Sequence, residues 1–333
     1  MAGSHRLHRR EDGVTDLTLA IATYDRPALL QLTLASCLAQ DNSLGLSLEI
    51  VVVDNHPSGN GRAVVEALAE GAPWPLRYIT DLTRNMSTLR NRGFSEARGT
   101  MVAFIDDDEV ASPDWTDQLV SALRKADADI AVGPRLATFE QGPPAYDPTG
   151  SQFARDLHLP DGALVVLTEA SGKPRYGLGT GNSLFHVARC FPDGEPAMRE
   201  AFGDAGGEDA ELFVRLHRNG RRIVWAAKAF VTEAVAPHRT EVAYRLLRTR
   251  RETQHYVSIY IDAASRPGLA WAILMAKGVV QLVAGAALAV LTWEFGSQRR
   301  LAARLQMAHG LGKLSWKRPV GYISEPGSGF ETD

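Results

Sequence analysis

The stretch MVAFIDDDEVAS, residues 101–112, decides how the chain is read. MVAFI is a short apolar run of the kind that forms a buried strand, and directly behind it stand Asp106, Asp107, Asp108 and Glu109. Four carboxylates at the end of a buried strand are costly unless a cation meets them or water reaches them freely. Upstream the same grammar repeats. LTLAIAT (17–23) is followed by the breaker TYDRP and an apolar-periodic segment over 28–40. EIVVVDN (49–55) leads into a Pro/Gly loop and the helical AVVEALAE (63–70), and LRYIT (76–80) into a helical segment over 86–98. Near-continuous apolar strands alternating with helices predict an α/β fold, a mostly parallel sheet covered by helices on both faces. Ligands collect at the carboxyl ends of such strands, where Asp25, Asp54 and the 106–108 triplet all fall.

With 333 residues, 45% of them hydrophobic and 23% charged, the chain can bury a substantial core. The formal net charge of -3 gives no electrostatic reason to expect a nucleic acid partner. Cys37 and Cys190 lie far apart without metal-ligand spacing, which indicates neither a disulfide framework nor a zinc module and fits a reducing compartment. The first fifteen residues carry basic groups but no apolar stretch, so they read as a mobile tail rather than a secretory signal. Further on, ADIAVG (128–133) predicts a strand and residues 139–150 a loop. GGEDAELFVRLHRNG (206–220) reads as a glycine-led helix ended by Asn219-Gly220, and RIVWAAKAFVTEAV (222–235) as one strand.

The C-terminal section changes character. LAWAILMAKGVVQLVAGAALAVLTWEF (269–295) is strongly apolar but interrupted by Lys277 and Gln281. From Ser297 to Ile323 there are six Lys or Arg and no acidic residue. A spanning helix wants roughly 20 apolar residues, more than the clean run from Gly278 to Trp293 supplies. The expectation is a monotopic or re-entrant hairpin followed by a basic amphipathic helix on anionic lipid. A buried helix pair or an oligomer contact is the alternative.

Consecutive aspartates open to solvent on one side suit a hard divalent cation, magnesium or manganese, with positions left for phosphate oxygens. Alone, such a triplet is weak evidence, since acidic triplets are usually solvated loops. It does not stand alone: IATYDRP, VVVDN, LRNRGFSEARGTMVAFIDDDE, GTGNSLF and GEDAELFVRL follow one another in order. Together they resemble the family 2 glycosyltransferases, inverting enzymes of the Rossmann-like GT-A fold, and most closely the bacterial succinoglycan-type polysaccharide enzymes. The resemblance runs from about Leu17 to about Arg251.

It implies a catalytic domain over 16–240, with a nucleotide-binding half (about 16–133) and an acceptor half (about 134–240); the C-terminal helical region over 241–333 is expected, from its apolar and basic stretches, to associate with the membrane. Asp54 would accept a hydrogen bond from the nucleotide base, uracil by preference, beside a wall formed by Thr23 and Tyr24. Arg90 would face the phosphates, and Asp106 the ribose or donor sugar, with Asp107 next to it in the donor site. Asp108 would bind the metal, with His238 completing its shell. Asp209 would act as general base on the acceptor hydroxyl, and Glu208 would assist or hold the acceptor. A bland reading stands beside this one, since an acidic pair is also favoured by a helix dipole. Asn182 would lie near the donor sugar, although a turn explains Gly181-Asn182 as well. Arg248 or Arg251 would clamp the diphosphate, or else cover a solvated helix face.

No Gln-x-x-Arg-Trp motif is present, which argues for addition of one sugar to a glycan or lipid-linked acceptor at the cytoplasmic face of the membrane, not for processive synthesis. A nucleotidyltransferase would need a glycine-rich basic loop after the first strand, which TYDRPALL does not provide. A non-catalytic scaffold that keeps the fold is the remaining alternative.

Overall fold

The computed structural model describes residues 15–194, 197–203, 206–291 and 297–319. Residues 1–14 of the expected tail and 320–333 at the C-terminus lie outside these. The apolar runs become β1 (Leu17–Thr23), β2 (Leu48–Asp54), β3 (Leu76–Thr80) and β4 (Met101–Phe104), connected by α1 (Pro27–Leu38), α2 (Arg62–Ala69) and α3 (Met86–Glu96). Pro27 opens α1, where its missing N–H is no loss. The Asn85 side chain caps α3 by accepting the Thr88 N–H at 3.1 Å. The chain continues through β5 (Glu109–Ala111), α4 (Trp115–Lys125), β6 (Ile130–Val132), β7 (Arg135–Phe139), β8 (Ser183–His186), the one-turn α5 (Val187–Cys190), α6 (Glu208–Arg218), β9 (Ile223–Trp225) and β10 (Val231–Val235).

The main sheet has the order β3-β2-β1-β4-β8-β6-β9, and only β8 runs against the rest. Alternate residues along β1 go to opposite faces. Leu17, Leu19 and Ile21 pack with Leu30 and Leu34 of α1 and with Trp115 and Leu119 of α4. Ala20, with Val102 and Phe104 of β4, packs against Leu212 and Phe213 of α6. All of β2 is buried, because it has a strand on each side and helices on each face. This is the helix-covered, mostly parallel architecture the sequence predicts.

Two readings change. The run 222–235 is two strands in different sheets: β9 edges the main sheet, while β10 pairs antiparallel with β5 and parallel with β7 in a small second sheet. The break falls at a turn closed by the Ala229 N–H on the Ala226 carbonyl, and alanines give no sequence sign of it. Glu109, the last of the four carboxylates behind the strand, begins β5, a strand the sequence reading did not name, where it stands directly opposite Glu233 of β10.

Beyond β10, a 3-10 turn (Pro237–Thr240) leads into α7 (Val242–Ala263), α8 (Pro267–Leu291) and α9 (Ser297–Leu314). Of the segment 269–295, expected as a monotopic or re-entrant hairpin, the described part is one uninterrupted helix, and 292–296 lie outside the described residues. Lys277 and Gln281 interrupt its hydropathy but not its backbone, since both are good helix formers. By length and composition α8 could cross a membrane, and its most apolar window is only 17% buried. α9 folds back along it. Gly285 meets Ala303 and Met307, while Gly278 meets Lys313 and Leu314, so glycines on one stripe let the two backbones approach closely.

Candidate active site

The crevice opens where the strand order reverses, between β1 and β4 at their carboxyl ends. β4 ends in a tight turn closed by the Glu109 N–H on the Asp106 carbonyl, which turns the aspartates toward β1. Thr23 donates to Asp107 Oδ2 at 2.7 Å across the reversal. Arg26, in the loop after β1, reaches Asp107 at 3.3 Å and Asp108 at 3.0 Å. The Thr33 hydroxyl of α1 sits between the Asp107 and Glu109 carbonyls and pins the turn to the helix.

Arginine is therefore what meets the acidic run. Glu109 and Glu233 face each other across β5 and β10, an unfavourable like-charge pair. Arg135 answers Glu233 at 2.9 Å, and Arg239 lies 2.7 Å from Glu233 and 3.9 Å from Asp108. Burial acts to raise Glu233, but the two arginines hold it below its ordinary value. Compensation elsewhere is incomplete. Burial, reinforced by Glu233, Asp106 and Asp107, pushes Asp108 up to about 7 against the pull of Arg26, and burial drives Glu109 well above the carboxylate range.

A second acidic pair closes the other side. Gly206 and Gly207 take left-handed backbone (φ 84° and 87°) to start α6, so Glu208 and Asp209 emerge at its first turn. Arg90, from α3, contacts Glu208 and lies 2.9 Å from Asp209 Oδ1 and 3.7 Å from Asp106 Oδ1. One guanidinium thus joins the triplet to the pair. Burial, with repulsion from Asp209, pushes Glu208 up to about 7 although Arg90 opposes it. Asp106 and Asp209 keep side-chain exposures of 35% and 21%, making them the carboxylates of the two groups most open to the crevice. A carboxylate so placed can accept a proton or face a cation.

The remaining residues fall variously. Asp54 is fully buried, with its oxygens taken by the His56 N–H (2.8 Å), the Gly61 N–H (3.1 Å) and the Tyr78 hydroxyl (2.7 Å). It organises the loop after β2; the partly exposed Tyr24 ring meets the His56 ring edge to face at 4.9 Å, while Thr23, expected beside Tyr24 in the base wall, is buried and turned to Asp107. Asn182 departs from the expected donor contact: it is buried at φ 55°, accepts from Trp115 Nε1 at 2.7 Å, and donates to the Pro134 and Ala229 carbonyls. It holds the fold together, and its neighbours face the acids. Gly181 lies so close that a Cβ there would come within 2.5 Å of Asp106 Oδ2. Arg248 pairs with Glu252 one turn along α7, and Arg251 sits on the same helix.

Among the described residues no three His, Cys, Asp or Glu side chains are gathered as a ready metal cage. The donor chemistry nonetheless suits a hard cation. Asp108 is short of positive charge, and the buried His238 Nε2 and Glu109 Oε1 lack hydrogen-bond partners. Sequence reasoning passed over Arg26, Arg135, Arg239, Glu233 and Thr180. Arg26 and Thr180 lie inside the quoted motifs TYDRP and GTGNSLF, but nothing local shows that they meet distant carboxylates.

The family model described as glycosyl transferase family 2 matches residues 18–170. Over 262 residues the chain is 30% identical to the succinoglycan biosynthesis protein ExoM of Rhizobium meliloti (strain 1021), covering 78% of this chain and 80% of that one. The chain is a family 2 glycosyltransferase. Among solved structures, the glycosyltransferase is similar in fold to S. aureus TarS 1-349 in complex with UDP, with TM-score 0.55, 16% identity and 95% of each chain covered. It is also similar to the mannosyltransferase PcManGT from Pyrobaculum calidifontis in complex with GDP-Man and Mn2+, with TM-score 0.53, 20% identity, and 91% of this chain and 87% of that chain covered. The GT-A resemblance read from the motifs is thus borne out, and family membership displaces the nucleotidyltransferase alternative.

The raised Glu208 has a consequence for stability. Keeping it protonated stabilises the fold fully below the unfolded value of 4.5, and that contribution is lost as pH rises to about 7. Chemical denaturation of the glycosyltransferase in EDTA at pH 5, 6, 7 and 8 should show unfolding free energy falling over this window. Glu208→Gln should recover on the order of 1–3 kcal/mol at pH 8; a variant no more stable than the parent there would remove Glu208 as a source of the slope.

Proposed function

We propose that the glycosyltransferase moves a sugar from a nucleoside diphosphate sugar, a UDP-sugar by preference, to a hydroxyl of a glycan or lipid-linked acceptor, with inversion at the anomeric carbon. The observation that carries this reading is the Arg90 bridge, which sets the donor-side triplet and the half-open Asp209 on either side of one crevice. Asp209 takes the proton of the acceptor hydroxyl as that oxygen attacks opposite the leaving diphosphate, in the direct-displacement geometry of inverting glycosyl transfer. Glu208, buried against Arg90, holds the base in place instead of replacing it. Asp108 and His238 would hold a magnesium or manganese ion, which would offset charge growing on the leaving diphosphate. Complexes of similarly folded proteins with UDP and with GDP-Man and Mn2+ support such a donor and metal.

The same reading has the enzyme work at the cytoplasmic face of the cell membrane. α8 is apolar around its circumference yet covered by protein on only one stripe, and α9 brings exposed Arg300 and Arg304 alongside. Because α9 packs along α8, a hairpin embedded in one leaflet with its arginines at anionic headgroups suits this pair better than a lone spanning helix.

Three measurements test the proposal. In calorimetric titrations with UDP, GDP, CDP and dTDP, manganese should be needed for tight binding of one diphosphate and Asp108→Ala should weaken it by about tenfold or more; binding that ignores both would move the metal elsewhere. Asp209→Asn should lower turnover by about 10²–10⁴-fold with nucleotide binding nearly unchanged, and a variant that still turns over would not have lost its base. Finally, the protein should float with vesicles containing phosphatidylglycerol, and Val283→Glu, at an exposed position of α8, should release it; equal flotation of the variant, or none by either protein, would argue for a buried or self-associating helix pair.

A further inference from the structure

We infer that Thr180 is a positioning residue for the base: together with Arg90 it holds Oδ1 of Asp209, leaving Oδ2 as the oxygen turned toward the acceptor hydroxyl. This rests on the assignment of Asp209 as base. The Thr180 hydroxyl donates to Asp209 Oδ1 at 2.9 Å, and Arg90 lies 2.9 Å from the same atom. Both contacts fall on one oxygen. A carboxylate whose two oxygens were equally engaged would have to break a contact to take a proton, whereas one anchored through a single oxygen keeps the other free and fixes its direction.

The loop carrying Thr180 is built to hold that direction. Thr180 is fully buried, and its carbonyl accepts from the Ser183 hydroxyl. Arg155, half-buried beneath the loop, donates to the carbonyls of Gly179 at 2.8 Å, Gly133 at 3.1 Å and Asn182 at 3.2 Å, and also to that of Gly181. Asn182 in turn is tied to Trp115, Pro134 and Ala229. The loop is therefore anchored on both sides of Thr180. On the other edge of the carboxylate stands Gly179, where a Cβ would lie 3.4 Å from Oδ2, so no side chain from that position covers the free oxygen. An acceptor hydroxyl can approach there.

The charged groups around Asp209 are Arg90 on α3, Arg155 beneath the loop, Glu208 on its own helix and, across Arg90, Asp106. Removing the hydroxyl should loosen the carboxylate while leaving these charges and the donor site in place. A purely structural role for the buried threonine would not separate kcat from donor KM.

The test compares Thr180→Val, which keeps the shape, with Thr180→Ser, which keeps the hydroxyl. With UDP-glucose as the probe donor, kcat should fall by about tenfold or more in Thr180→Val with donor KM within about twofold, and Thr180→Ser should recover it. An unchanged kcat in Thr180→Val, a donor KM that moves as far as kcat does, or a serine variant as impaired as the valine one would overturn the inference. Full turnover by Asp209→Asn would instead overturn the base assignment on which it rests.

Discussion

Everything around the crevice depends on how a cluster of carboxylates is kept from repelling itself. Asp107, Glu109, Glu208 and Glu233 are nearly or fully buried, and buried charge survives only when it is paired or neutralised. Arg26, Arg90, Arg135 and Arg239 supply that pairing, each bringing positive charge from a different element. The neutralisation stops short. Glu233 is held ionised by two arginines, whereas Asp108 and Glu208 are left near pH 7. Electrostatic strain of this kind gathers where chemistry is done, because groups poised between charge states respond most strongly to an incoming ligand.

The fold supplies the geometry that makes such a cluster possible. Reversal of strand order between β1 and β4 leaves a gap at the carboxyl ends of the strands, and Thr23 and Arg26 reach across it to the aspartates. From the other side, α6 brings its acidic first turn up to Arg90 of α3. The small sheet of β5, β10 and β7 sets two glutamates face to face and the arginines beside them. Arg90 links the two acidic groups: a change at the triplet that moved it would be felt at Asp209. Outward from this centre, α7 packs on α6 through Ile259 and Ala263 against Val214, and α9 in turn approaches α7 at Gly312, beside Thr253 and Arg250.

What could be read without coordinates was whatever local pattern controls. β1 and β3 fall on the runs named for them, 17–23 and 76–80, because a buried strand announces itself in a few consecutive apolar residues bounded by breakers. The acidic motifs were legible in the same way, and so was the family they belong to. Only tertiary structure decided the rest. The division of 222–235 into two strands follows from which sheets take them, not from their residues. Asn182 becomes a buried fold-holder because Trp115, Pro134 and Ala229 converge on it from distant segments. Thr180, Arg26 and Arg239 carry no periodic signal, and they matter only because folding carries them to carboxylates remote in the chain. The sequence by itself determined which elements form and which chemistry they carry, since both depend on short-range composition. The pairing of each charge was left to tertiary structure, because an ion pair is a relation between residues that have no sequence neighbourhood in common.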